Sequence, residues 1–184
     1  KLIERICKCK EVKMKLYTLQ EDNAKVSQYK TEAYITIAPA SLWFTKQYPV
    51  IKWIDFMSKI DKDIRVIFLG SEKEKQLSKT IIDKSGHKNS LNLAGNLNLL
   101  QSAALMKDAI MNYVNDSAPM HLASSMDANT AVIYCSTIPE FGFGPLAKNS
   151  TIIETKKKLN CKPCGLHGFN TCPKKHFECA TTIA

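Results

Sequence analysis

The amino-acid sequence predicts an α/β domain, a Rossmann-like parallel sheet with helices on both faces. Three observations point there. Short β-rich runs alternate strictly with longer segments of helical period between residues 34 and 135. The apolar run Ala109-Ile110-Met111-Asn112-Tyr113-Val114 ends in the polar turn Asn115-Asp116-Ser117, which opens a helix. Finally, 184 residues with 45% hydrophobic and 23% charged content suffice to bury one core.

The elements follow in chain order. Residues 1 to 30 are lysine-rich, with a helix end at Leu2 to Cys9, an apolar patch at Leu16 to Leu19 and a helical turn near Asp22 to Tyr29. They read as a linker and the tail of something upstream. Strands are expected at Tyr34 to Ala38, Ile64 to Leu69, Ser90 to Leu93, Ala109 to Val114 and Thr130 to Cys135. Helices are expected between them at Pro49 to Ile60, Glu72 to Lys84, Leu97 to Lys107 and Ser117 to Met126. In the first helix Val50, Ile51, Trp53, Ile54, Met57 and Ile60 make one apolar stripe, read as core. The division is therefore 1–30 linker, 31–158 Rossmann-like domain and 159–184 cysteine-rich tail. Lys1 in place of a starting methionine reads as a fragment.

A parallel sheet binds ligands beyond the carboxyl ends of its strands, so the loops after Ala38, Leu69, Leu93 and Val114 should converge on a site. Asp116 and Ser117 suit a helix cap and Pro119 the first helical turn, and such a helix start favours phosphate, with Ser117 and His121 as added donors. The first loop carries Ser41, Thr45 and Lys46, able to grip a diphosphate. After the second strand, one of Glu72 and Glu74 suits a helix cap and the other a ribose diol. Leu97, after the turn Leu93-Ala94-Gly95, is placed to press on a base. No Gly-x-Gly-x-x-Gly and no P-loop sequence is present, which argues against NAD binding and P-loop NTPases. With 7 glycines, helix ends and side chains must hold the phosphate.

The net charge of +9 suits phosphorylated ligands or an anionic membrane surface. The lysines are dispersed and lack a helix-turn-helix, RNP or zinc-finger pattern, so nucleic acid is not expected as a partner. No apolar run approaches the roughly 20 residues that cross a bilayer. In the tail stand Cys161, Cys164, Cys172 and Cys179, with His167 and His176 interleaved. That spacing leaves open a structural Zn site, free thiols or disulfides; in a reducing compartment metal outweighs disulfides. Cys7, Cys9 and Cys135 read as incidental.

Together, Ala38-Pro39-Ala40-Ser41, Thr45-Lys46-x-Tyr48-Pro49, Gly70-Ser71-x-x-Glu74, Leu93-Ala94-Gly95 and Asn115-Asp116-Ser117-Ala118-Pro119-Met120-His121-Leu122-Ala123 resemble the C-terminal half of the family 9 glycosyltransferases, the ADP-heptose:lipopolysaccharide heptosyltransferases and their relatives. The resemblance spans about residues 30 to 184. It implies the C-terminal, donor-binding domain of a two-domain GT-B enzyme that inverts the sugar, with ADP-heptose as donor and lipopolysaccharide core or a related glycan as acceptor. It implies that Ser41, Thr45 and Lys46 contact donor phosphate or sugar, that Glu74 holds the ribose and Leu97 lies near the base, and that Asp116, Ser117, Ala118 and His121 bind the diphosphate region and sugar. Lys46 and His121 are then the catalytic, leaving-group-stabilising residues, with no cofactor required. The family's general base lies in its other domain, and no position here matches it. A cytoplasmic site, peripheral on the inner face of a bacterial inner membrane, would suit the basic surface.

Two departures bear on the sugar. Ala118 stands where many members have glycine, and the common Phe-Gly-Pro-Thr is here Tyr134-Cys135-Ser136-Thr137. The loop from Pro139 to Pro145 is therefore expected to shape a different sugar pocket. The competing expectation is a non-catalytic nucleotide-binding or regulatory module that uses the same helix start.

Overall fold

The computed structural model describes residues 14–184. The helix end expected over Leu2 to Cys9 lies outside them. Six parallel strands form one sheet: β1 Tyr34–Ala38, β2 Arg65–Phe68, β3 Ser90–Asn92, β4 Asn112–Asn115, β5 Thr130–Tyr134 and β6 Ser150–Glu154. Their spatial order is β3-β2-β1-β4-β5-β6, with Tyr34 beside Arg65, Ala38 beside Val114 and Tyr134 beside Glu154. The helices are α1 Gln20–Ser27, α2 Val50–Lys59, α3 Lys75–Ser85, α4 Leu99–Lys107, α5 Ala118–Ser125 and α6 Glu178–Thr181.

All five residues of β1 are buried, as expected of a central strand covered on both faces. Alternation along the strands divides the side chains between two cores. Tyr34, Ala38, Ile67 and Leu69 pack with Val26 of α1, Leu105 and Met106 of α4, and Met120 and Ala123 of α5. Ile35, Ile37, Val66 and Phe68 pack with Trp53 and Met57 of α2, Ile81 of α3, and Ala180 and Ile183 at the end of the chain. The sheet centre also holds a polar pair, which is fully partnered as burial demands. Thr36 Oγ1 donates to Asn112 Oδ1 at 2.6 Å, and Asn112 Nδ2 donates to the carbonyls of Met106 and Asn129.

Every expected strand and helix from β1 to β5 is present, with ends moved by up to three residues. The fourth strand begins at Asn112, because Ala109 closes off α4 and Ile110 turns outward, 49% exposed. The helix expected over Glu72 to Lys84 starts with a 3-10 turn, Glu72–Glu74, that runs into α3. Of the apolar stripe on α2, Trp53 and Met57 are buried, whereas Val50 and Ile51 are exposed.

Three departures concern the borders. Strand β6, Ser-Thr-Ile-Ile-Glu, was not expected: as an edge strand it leaves most residues exposed and lacks a clear apolar pattern. Residues 20 to 30 belong to the domain and not to a linker, since Val26 is fully buried and Lys30 Nζ bonds the Ala104 carbonyl at 2.9 Å. The tail is likewise part of the domain, through buried Cys179, Ala180 and Ile183.

The chain runs outward from β1 through β2 to β3, then returns to place β4 on the other side of β1. Between β1 and β4 the connections therefore part in opposite directions. That is the topological switch point, where open α/β sheets keep their ligand crevice.

Candidate functional site

A cavity of about 720 Å³ opens at this switch point. That is ample for a nucleotide-sized ligand. Of the residues singled out in the sequence, Ser41, Lys46, Glu74, Leu97, Asp116, Ser117 and Ala118 line it. Thr45 and His121 do not.

One end of the cavity brings a lysine to the start of a helix. Lys46 closes a 3-10 turn, Phe44–Lys46, in the loop after β1, and its Nζ lies 2.7 Å from Asp116 Oδ2. The same carboxylate oxygen accepts the Thr137 hydroxyl at 2.6 Å. Asp116 is buried, so its negative charge is spent on Lys46 and Thr137, and next to a phosphate it would repel. It holds Lys46 at the mouth of α5 and itself lines the cavity. Ser117 stands at the N-cap of α5 in an extended conformation, but its hydroxyl does not make the capping bond expected: it donates to the Asn115 carbonyl at 3.3 Å. Ala118 and Pro119 follow as the first helical residues; Pro119 has no N–H to leave unpaired and that of Met120 bonds the Ser117 carbonyl at 3.0 Å, so the N–H of Ala118 is the one without a partner within the helix.

The loop after β1 is fastened from below by Asn115, the buried last residue of β4. Asn115 Nδ2 donates to the Pro39 carbonyl at 2.6 Å, and Oδ1 accepts the N–H of Tyr48 at 3.1 Å. One side chain thus ties both ends of the loop that carries Ser41 and Lys46. Neither Asn115 nor Thr137 was singled out as a site residue in the sequence. For Asn115 the available signal was a polar residue ending an apolar strand, which must find partners when buried.

Thr45 departs from expectation. It is 1% exposed, and its hydroxyl oxygen accepts both the N–H of Phe169 and the Ser136 hydroxyl. With no open face it serves the framework of the loop and makes no contact with the cavity. His121 does not line the cavity, although Pro119 before it and Leu122 after it do; its ring is 6.4 Å from that of Phe143 in the Pro139 to Pro145 loop. Tyr134, beneath that loop, donates its hydroxyl to the Phe143 carbonyl at 2.8 Å. Burial, and then the charges of Asp116 and Glu140, hold that phenol well above its ordinary range.

Away from α5, on the side of β2 and β3, the lining is apolar, with Leu69, Leu97, Leu99 and Met106. Glu74 stands between the two ends. Its Oε2 accepts the N–H of Ser71 at 2.5 Å, so it caps its own turn while lining the cavity. Gly70 permits this, because a Cβ there would fall 2.5 Å from Glu74 Oε2. Glu72 takes the purely structural part, paired with Lys75 at 3.2 Å.

The tail crosses beside the lysine end. Cys135 and Cys179 are buried, Cys161, Cys164 and Cys172 are half-buried, and these five thiols are free. Burial, and then the neighbouring Cys172 and Cys161, push the Cys179 thiol up to about 11. Cys161 Sγ is 3.7 Å from His176 Nε2, while His176 Nδ1 accepts the N–H of Glu178 at 3.0 Å. Among the described residues no three His, Cys, Asp or Glu side chains are gathered closely enough to hold a metal ion. Nor, among them, is any helix long and apolar enough to cross a membrane.

A family profile described as "Glycosyltransferase family 9 (heptosyltransferase)" matches residues 7–171. No curated protein sequence matches. Among solved structures, the chain is similar to Escherichia coli ADP-heptose lps heptosyltransferase II, with 20% identity, a TM-score of 0.65, and coverage of 89% of this chain and 51% of that one. It is similar to a family 9 glycosyl transferase from Veillonella parvula, with 19% identity, a TM-score of 0.71, and coverage of 79% and 44%. A third is E. coli heptosyltransferase WaaC with ADP-2-deoxy-2-fluoro heptose, with 20% identity, a TM-score of 0.57, and coverage of 76% and 44%. The chain thus spans about half the length of the structures it resembles.

Proposed function

We propose, for a chain that belongs to glycosyltransferase family 9, that it is the donor-binding domain of an inverting, GT-B-type heptosyltransferase-like enzyme. Its donor is a nucleoside-diphosphate sugar, with ADP-heptose the first choice, and its acceptor is lipopolysaccharide core or a related glycan. The observation that carries this reading is the cavity itself. A lysine and a helix start stand at one end, an apolar wall at the other, and Glu74 between them, in the order diphosphate, ribose, base. The nucleotide sugars of the E. coli relatives, ADP-heptose and ADP-2-deoxy-2-fluoro heptose, carry their parts in the same order.

The chemistry follows from charge. Transfer of the sugar leaves a nucleoside diphosphate whose negative charge grows as the glycosidic bond breaks. Lys46 and the N–H of Ala118 lie where that charge develops, so they stabilise the transition state more than the ground state. Asp116 keeps Lys46 pointed there before the donor arrives. His121, beside Phe143, flanks the place where the sugar would extend from the diphosphate. Because no residue here matches the family's general base, the deprotonation of the acceptor hydroxyl is assigned to the acceptor-binding domain. The enzyme is placed at the cytoplasmic face of the inner membrane, where its net charge of +9 favours anionic lipid. A structural Zn on Cys161, Cys164, Cys172 and Cys179 does not fit the arrangement described, and no step depends on it.

Calorimetric titration with ADP, GDP, UDP and ADP-heptose tests the reading, alongside Lys46→Ala and His121→Ala. Selective binding of one nucleotide, weakened by Lys46→Ala, supports it. Failure of the folded chain and of the full-length protein to bind any of them would sink it.

A further inference from the structure

The cysteine-rich tail reaches the lysine end of the cavity through Gly168 and Phe169. Phe169 and Thr45 exchange two hydrogen bonds across 124 positions of sequence. The N–H of Thr45 donates to the Phe169 carbonyl at 3.0 Å, and the N–H of Phe169 donates to Thr45 Oγ1 at 2.8 Å. Ser136, just past β5, donates to the same Oγ1 at 3.1 Å, while its carbonyl accepts the N–H of Cys164 at 2.7 Å. Thr45 thus joins three segments: the loop after β1, the end of β5 and the tail. A second contact holds the same turn, since the rings of Phe44 and Phe177 stack with centroids 5.0 Å apart.

Gly168 lies against Lys46 itself. It adopts φ +84°, and a Cβ there would fall 3.0 Å from Thr45 Oγ1, 3.1 Å from Lys46 Cγ and 3.3 Å from Trp43 Cβ. Glycine meets two demands at once, a left-handed backbone and a close approach to the lysine stem. A flexible lysine loses rotamer freedom when it grips an anion, and restraining its stem beforehand removes part of that cost.

We propose that Gly168 and Phe169 are positioning residues for Lys46, and that the tail is a strap holding the diphosphate-gripping turn in register with the start of α5. This rests on the reading of Lys46 as the diphosphate ligand. A tail with a merely structural role would lower stability when disturbed, without changing the freedom of the Lys46 ammonium.

The test combines Gly168→Ala, which presses on the lysine stem, with Thr45→Val, which removes the shared acceptor, and Thr45→Ser, which restores it. Exposed Lys174→Ala serves as the tail control. Two readouts are taken on the full chain: the rate at which an amine-acylating reagent labels Lys46, followed by peptide mass spectrometry, and the affinity for ADP by calorimetry. Gly168→Ala and Thr45→Val should each raise Lys46 labelling relative to the other lysines and weaken ADP binding by about tenfold. Thr45→Ser and Lys174→Ala should match the wild type in both. Wild-type labelling of Lys46 in Thr45→Val and in any folded Gly168→Ala protein would overturn the proposal. Should neither the wild-type chain nor the full-length protein bind a nucleotide, the donor-domain reading falls, while the labelling rates still decide for or against the strap.

Discussion

The two ends of the cavity offer a ligand different physics. At the lysine end, one ammonium is held against one buried carboxylate at the mouth of a helix, so the force is directional and depends on charge. At the apolar end, Leu69, Leu97, Leu99 and Met106 offer area, and their force scales with the surface they cover. On the proposed reading, the first acts on charge that grows during transfer. The second acts equally before and during it. Variants at the two ends should therefore separate diphosphate recognition from nucleoside recognition.

The largest expected effect tests that separation directly. Lys46→Met should weaken ADP about 100-fold, as loss of a charge-assisted contact does, and leave adenosine unchanged. It also strands buried Asp116, so the unfolding free energy should fall by about 3 kcal/mol. The double variant Lys46→Met/Asp116→Asn should recover the urea midpoint without recovering ADP affinity; if affinity returned too, Lys46 would be a structural residue and the contrast would break. Next comes Glu74→Gln, with about a tenfold loss for ADP and none for 2′,3′-dideoxy-ADP, compared by calorimetry. His121→Ala should weaken ADP-heptose about fivefold and leave ADP alone, which separates a sugar contact from a phosphate contact. Leu97→Ala should cost about threefold for ADP and adenosine alike, in proportion to the apolar area removed.

The smallest effect concerns the tail and depends on pH. The folded Cys179 thiol is raised from the ordinary 9.0 to about 11, chiefly by burial. Its contribution to stability is therefore fully present below about pH 9 and is lost as pH rises towards 11. Urea midpoints should fall between about pH 8 and pH 10.5, and Cys179→Ala should fall less steeply over the same interval. Equal slopes would remove the buried thiol from the account.

How much of this was legible in the sequence differs between the same regions. The start of α5 was legible because its signals are local: an apolar strand, a polar turn, Ser117 and Pro119 lie within a few residues. Lys46 was legible as a cation in a loop that the fold class sends to the switch point. That Asp116 pairs with Lys46 was not legible, because nothing local reveals that these two residues meet. Thr45 was misplaced for the same reason: its hydroxyl is occupied by a residue 124 positions away. Strand β6 escaped notice because an edge strand is half-exposed and carries no apolar run.

By itself the sequence determined the alternation of strands and helices, the side of the sheet on which the site lies and the residue types that line it. Those follow from hydrophobic period, turn chemistry and helix capping, which act over a few residues. Only the tertiary structure decided which charges pair, that Asn115 ties both ends of the loop after β1, and that the tail lies against the stem of Lys46. Contacts of that kind depend on how β1, β4, β5 and the tail pack together, and their geometry is set by the whole core.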